Sequence, residues 1–221
     1  MATAPTPLRT TTGNLCLGSA PDSWGAWFPE ADQQVPYIRF LDELAAAGAD
    51  RLGRLLLDDY DVRLVIHPHA DSHIQTQPEI ERPLNESDSR CTNLCLDTGH
   101  VTYGGGDNVD LIRRFGERVG YVHIKQMNPE ILAQVDAEDL SSGEAVRRGG
   151  CASPPAGVPE PADVIAELAR LDAELFVIVE QGLYPCAPEV PLPIAVHTSE
   201  HLAGCGLTGT RRPVLKTLDR R

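Results

Sequence analysis

Residues 92–100 read TNLCLDTGH, an apolar run that closes on an aspartate and turns through a threonine and a glycine onto a histidine. Such a run has no wet face. Strands that are apolar throughout, without alternating apolar and polar residues, belong to parallel sheets covered by helices on both sides. The pattern recurs in both directions from this stretch: NLCLGSAPDSW (14–24) and VRLVIHPH (62–69) before it, GYVHIK (120–125) and AELFVIVEQ (173–181) after it. Helical periodicity fills the intervals. PYIRFLDELAAAG (36–48) carries Ile38, Leu41, Leu44 and Ala45 on one face and ends on Gly48, and RLGRLLLDDY (51–60) follows. NVDLIRRFGERV (108–119), PADVIAELARLD (161–172) and a closing PIAVHTSEHLAGCG (193–206) repeat the alternation. The loop YGGGDN (103–108) follows the opening stretch and reads as a flexible connection beside Asp97.

Alternating strands and helices predict an α/β protein. No G-x-G-x-x-G follows the first strand, which disfavours a dinucleotide-binding sheet and favours a (β/α)8 barrel. The count is short, however. Five strands are legible where a closed barrel needs eight, and 221 residues fall below the roughly 250 typical of such barrels. The rhythm breaks between Gly48 and Arg51, where two helical patterns abut with no strand between them. The expectation is an incomplete TIM-type barrel, with βα units missing between Asp50 and Arg51.

Composition narrows the function. Nineteen basic against 32 acidic residues leave a net charge of −13, which repels a phosphate backbone, so nucleic acid is not an expected partner. No apolar stretch is long enough to span a bilayer, and the N-terminus lacks a signal-peptide core. A cytoplasmic protein with no membrane partner is expected. The six cysteines (16, 91, 95, 151, 186, 205) are scattered, and in that compartment they read as buried thiols.

Polar residues gather where the strands end: His67 and His69, Asp97, His123 and Lys125, Glu180 and Gln181. Parallel α/β folds build their sites on that edge. Each residue alone has a plainer reading, a hydrogen-bonded histidine or, for Asp97, a turn cap. Four such ends in one chain favour a site. His67, Asp97, His123 and Glu180 offer two imidazoles and two carboxylates, a donor set for a borderline divalent ion, Mn2+, Co2+ or Zn2+, better than for Mg2+ or Ca2+. A carbonyl polarised by such an ion has a more acidic neighbouring C–H. Glu180 is then a candidate general base as well as ligand, with Lys125 or His100 stabilising the oxyanion. Trp24 follows the first strand and is a candidate wall of the pocket. His73 lies in the following loop. His197 and His201 stand four apart on the last helix, but no third ligand accompanies them in sequence, and they read as surface or packing residues.

At these residues the chain resembles the sugar phosphate isomerase/epimerase superfamily, the xylose isomerase-like TIM barrels, and within it the inosose dehydratase-like branch. The stretches that carry the resemblance are GSAPDSWGAWFPE, HPHADSH, NLCLDTGHVTYGGGDN, GYVHIKQ, AEDLSSGEAVRRG, PPAGVP and IVEQGLYPCAPEVPLPI. They span Leu15 to Leu207 as one domain, leaving residues 1–14 as a disordered start and 208–221 as a tail. The resemblance implies a divalent metal, Mn2+ or Co2+ foremost with Zn2+ or Mg2+ behind, held by Asp97, His123 and Glu180. The fourth family ligand, commonly a Glu, falls on His67. It further implies a sugar or cyclitol substrate touched by His69, His100, Lys125 and Trp24, catalytic roles for Glu180, His67 and Lys125, and compatibility with a homo-oligomer.

Two departures matter. Family epimerases resemble two-base enzymes with a Glu on each face of the substrate. His67 in place of one Glu leaves Glu180 as the single carboxylate base, which suits dehydration of a keto-cyclitol better than epimerisation. The second departure is the missing stretch: three βα units that the family carries before RLGRLL are absent. A non-catalytic remnant that binds metal or sugar is therefore the competing expectation. An endonuclease of the abasic-site type shares the barrel and the metals, but the charge of −13 counts against it.

Overall fold

The structure, a computed structural model, describes residues 18–19, 49–171 and 173–209. The helix expected at 36–48, Trp24, Cys16, the start 1–14 and the tail from 210 onward lie outside the described residues.

Among the described residues five parallel strands form the main sheet: β1 (Gly18–Ser19), β2 (Leu64–Ile66), β3 (Thr92–Asp97), β4 (Val119–Ile124) and β7 (Val177–Val179). They lie in chain order, each hydrogen-bonded to the next in sequence within the sheet. β5 (Gln126–Met127) and β6 (Cys151–Ala152) leave this sheet as a small antiparallel pair beyond the end of β4. The helices are α1 (Ala49–Tyr60), α2 (Gln77–Glu86), α3 (Thr98–Tyr103), α4 (Asn108–Phe115), α5 (Pro129–Glu138), α6 (Ser142–Arg147), α7 (Pro161–Leu168) and α8 (Pro191–Gly204).

Sequential parallel order is the geometry of a TIM-type barrel, and here it is incomplete. β1 pairs directly with β2, Gly18 against Val65 and Ser19 against Ile66. α1 runs unbroken across Asp50 and Arg51. Among the described residues no strand stands between β1 and β2, and the sheet they form runs from β1 to β7.

Burial follows position in the sheet. All six residues of β3 are buried, with β2 and β4 on either side of it in the sheet. Leu94 and Leu96 join Ile80 and Leu84 of α2, Leu111 and Ile112 of α4, Val122 and Ile124 of β4 and Val164 of α7 in one core. Each such side chain gains about 1.5–3 kcal/mol over its exposed state. The last strand of the sheet, β7, is thinly covered by comparison, with Ile178 and Val179 41% and 42% exposed.

Two sequence expectations need correction. The strand expected to run through His67 to His69 ends at Ile66. Pro68 has no N–H to give the ladder, and pairing stops before it. The glycine loop after Asp97 is preceded by a helix, α3, so the loop proper begins at Gly104. Among the described residues, no helix is long and apolar enough to cross a membrane.

Candidate metal and catalytic site

Parallel register sets the strand ends side by side. Asp97 at the end of β3 is paired with His123 of β4, and His123 in turn with Ile178 of β7. The Glu180 N–H donates to the Ile124 carbonyl at 3.0 Å, which fixes that residue one step beyond the ladder.

Asp97 is the centre of the cluster and has two jobs. Its Oδ1 accepts from the Gly99 and His100 N–H groups at 2.9 Å each, capping α3. Its Oδ2 faces the mouth, 3.1 Å from Lys125 Nζ, 3.3 Å from His123 Nδ1, 3.5 Å from His67 Nε2 and 3.9 Å from His100 Nε2. Glu180 closes the ring from β7, with Oε1 3.0 Å from His123 Nδ1 and Oε2 2.7 Å from Lys125 Nζ. The side chain of Asp97 is fully buried and that of Glu180 36% exposed, so Asp97 forms the floor and Glu180 the lip.

Lys125 is placed with care. The Thr98 hydroxyl donates to the Lys125 carbonyl at 2.7 Å and accepts its N–H at 2.9 Å. Its aliphatic stem runs over Gly99, where any Cβ would collide with Lys125 Cβ, Cγ and Cδ. Its ammonium meets His100 Nε2 at 2.9 Å. His100 Nδ1 meanwhile accepts from the Ala70 N–H at 3.2 Å. A neutral imidazole has one lone pair in its plane, so it cannot accept from both donors.

The charges reflect this packing. Burial pushes His100 down to about 2 and lowers His69 as well. Burial works against ionisation of Asp97, yet contacts with His123 and His67 hold its carboxyl far below the usual range. His123 overcomes its own burial through Asp97, Cys95 and Glu180 and is pushed up to about 12. Contact with His123, then Lys125, brings Glu180 down to about 2 against the opposing effect of burial. The Asp97 and Glu180 charges likewise outweigh burial at Lys125 and raise it.

The donor set fits a divalent ion on one observation in particular. Asp97 Oδ2, His67 Nε2 and His123 Nδ1 are buried, close together and without an aligned hydrogen bond. Buried polar atoms normally have partners, and these three face one another around a carboxylate whose nearest cation is the Lys125 ammonium at 3.1 Å, an arrangement of donors that suits a cation. The ligand atoms of Asp97, His123 and Glu180 lie within 4.8 Å of one another, as do those of His67, Asp97 and His100. His67 thus joins Asp97, but no such grouping among the described residues unites it with Glu180.

His69 stacks on His100 with ring centroids 3.7 Å apart, so both substrate-contact candidates line the same wall. His197 is exposed and apart from the cluster. Cys95 is the residue that sequence reasoning missed: it groups with His67 and His123 under the floor. Its signal was the two-residue period that puts it on the face of Asp97.

The xylose isomerase-like TIM barrel family matches residues 13–191, and the chain belongs to that family. It is similar to an inosose dehydratase of Geobacillus kaustophilus (strain HTA426), 34% identical over 157 residues, 70% of this chain and 51% of that protein. An inosose dehydratase of Clostridium botulinum (strain Eklund 17B / Type B) is 30% identical over 159 residues, 72% of this chain and 53% of that one. The chain spans about half the length of the curated relatives it matches. Two solved structures share the fold. The 3-keto-D-glucoside 4-epimerase of E. coli has a TM-score of 0.57 at 13% identity, covering 86% of this chain and 62% of its own. The IOLI protein, solved with a zinc atom, has 0.54 at 16%, covering 81% and 62%.

Proposed function

We propose that the chain is a metal-dependent lyase or isomerase of sugars or cyclitols that removes a proton next to a carbonyl, with dehydration of a keto-cyclitol as its reaction. The observation that carries this is the convergence of Asp97 Oδ2, His123 Nδ1 and Glu180 on one mouth, with buried ligand atoms lacking hydrogen-bond partners. The similarity to inosose dehydratases supports the choice of reaction.

Asp97, His123 and Glu180 would hold the ion, with His67 as the fourth ligand, and Mn2+ or Co2+ suits the set. The ion would supply Lewis-acid polarisation of the substrate carbonyl. Glu180, at the lip, takes the proton from the adjacent carbon. Held at about 2 it is ionised but a weak base. Moving the Lys125 ammonium from Glu180 onto the developing oxyanion raises that basicity and stabilises charge in one motion. With His67 holding the ion, no second carboxylate base faces Glu180, and the proton that Glu180 takes is returned by it to the departing β-hydroxyl, which leaves as water. His69 and His100 line the wall on which the ring sits.

A second reading is favoured by a separate observation, the direct β1–β2 pairing in a chain that spans about half the length of the relatives it matches. It is a remnant that binds metal without turnover. Incubating the purified chain with 2-keto-myo-inositol and Mn2+ or Co2+, with a chelator control, separates the two. Metal-dependent loss of water supports the enzyme, and metal uptake without product supports the remnant.

A further inference from the structure

At the far end of α8 a second set of side chains meets. His201, in the last turn, and Cys205, the residue that caps the helix, are four apart and share one face. Cys205 Sγ lies 3.6 Å from His201 Nε2. The third member comes from another element: Glu160, the N-cap residue of α7, brings a carboxylate oxygen within 4.8 Å of both. The sequence alone offered His201 only the exposed His197 as a companion. The fold supplies the missing ligands.

We propose that Glu160, His201 and Cys205 form a second divalent-metal site, selective for Zn2+, that staples the C-terminus of α8 to the start of α7. The site shares no residue with the strand-end cluster. Zn–S of about 2.3 Å and Zn–N of about 2.0–2.1 Å at a tetrahedral angle put sulfur and nitrogen about 3.6 Å apart. The observed separation already has that value. Glu160 is exposed; its Oε1 accepts from the Ala162 N–H at 3.5 Å, which leaves its second oxygen for the ion. The anchorage is firm, since Leu202 is buried in the core and Cys205 packs against it. Thiolate with imidazole selects Zn2+ over Mn2+, Mg2+ and Ca2+, and three protein ligands leave a fourth position for water or a small ligand.

Co2+ titrated into the full chain is the probe, because thiolate-to-cobalt charge transfer absorbs in the near ultraviolet and carboxylate or imidazole ligation does not. The band should appear in the wild type, persist in Cys95→Ser and Asp97→Asn, and vanish in Cys205→Ser. Losing an outer-shell partner alone costs about 10- to 100-fold in metal affinity, so His201→Gln and Glu160→Gln should each weaken the band's Co2+ affinity by at least about tenfold. Should Cys205→Ser fail to fold, those two surface-reaching variants decide the matter. Absence of a thiolate band in the wild type, its loss in Cys95→Ser, or unchanged affinity in both His201→Gln and Glu160→Gln would overturn the proposal.

Discussion

Lys125 Nζ sits 2.7 Å from Glu180 Oε2, so the residue cast as general base is bridged to an internal cation. The same ammonium lies 3.1 Å from Asp97 Oδ2, in the place where a metal's charge would be felt. A divalent ion bound there as proposed would compete with Lys125 for one pair of carboxylates. Giving up a charge-assisted hydrogen bond costs about 1.5–3 kcal/mol. Lys125→Met should tighten Mn2+ or Co2+ binding by about tenfold or more, read by calorimetric titration. Turnover should fall by about 10²–10³ as the oxyanion partner is lost. Metal affinity that is unchanged or weaker in this variant would contradict the competition.

Gly99 is required by Lys125, not by a turn. A Cβ there meets the lysine stem, and Thr98 clamps the lysine backbone so that it cannot retreat. Gly99→Ala should cost about 1–3 kcal/mol by overpacking and displace the ammonium from Asp97 and Glu180. Chemical denaturation measures the first effect. A Gly99→Ala chain as stable as wild type would show that the stem is free to move.

The acid limb of stability should belong to His100. Burial holds it at about 2 in the folded chain, whereas an unfolded histidine titrates near 6.5. Between those values the unfolded chain binds the proton and the folded chain refuses it, so stability falls as pH drops below about 6.5. His69, also lowered by burial, adds with the same sign. His123 acts on the other side. Raised to about 12, it contributes stability that is fully present below about 6.5 and is lost as pH rises toward 12. The depressed Asp97 contributes above the ordinary carboxylate range and loses that contribution only at still lower pH. With chelator present, Tm should peak at about pH 6–7 and fall toward pH 5 by about 2–4 °C for each kcal/mol lost. His100→Gln should flatten that fall, and an equally steep acid limb in the variant would assign it elsewhere.

Much of this was legible in the sequence for a simple reason. Parallel strands announce themselves as apolar runs, and their C-terminal ends hold the polar residues, so Asp97, His123, Lys125 and Glu180 could be picked out by position. What escaped had a masked signal or none in the sequence. α2 is masked by Pro78 and Pro83, although the first proline lies in the opening turn, where its missing N–H has no intrahelical partner, and Ile80 and Leu84 bury against the core. The capping of α3 by Asp97 read as an alternative to a site, whereas its two oxygens serve both. Cys95 looked like any core residue until His123 and His67 were placed beside it. The Glu160–His201–Cys205 grouping spans elements some forty residues apart and could only be found in three dimensions.

The single-base account stands or falls on Glu180. The direct measurement is metal-supported dehydration of 2-keto-myo-inositol by wild type, Glu180→Gln and His67→Ala, with metal content determined for each. The account predicts that Glu180→Gln loses about 10²–10⁴ in rate, beyond anything its metal content explains, while His67→Ala is slowed but still eliminates water. Dehydratase activity that survives Glu180→Gln, or a wild-type chain that takes up metal and turns over nothing, would contradict it.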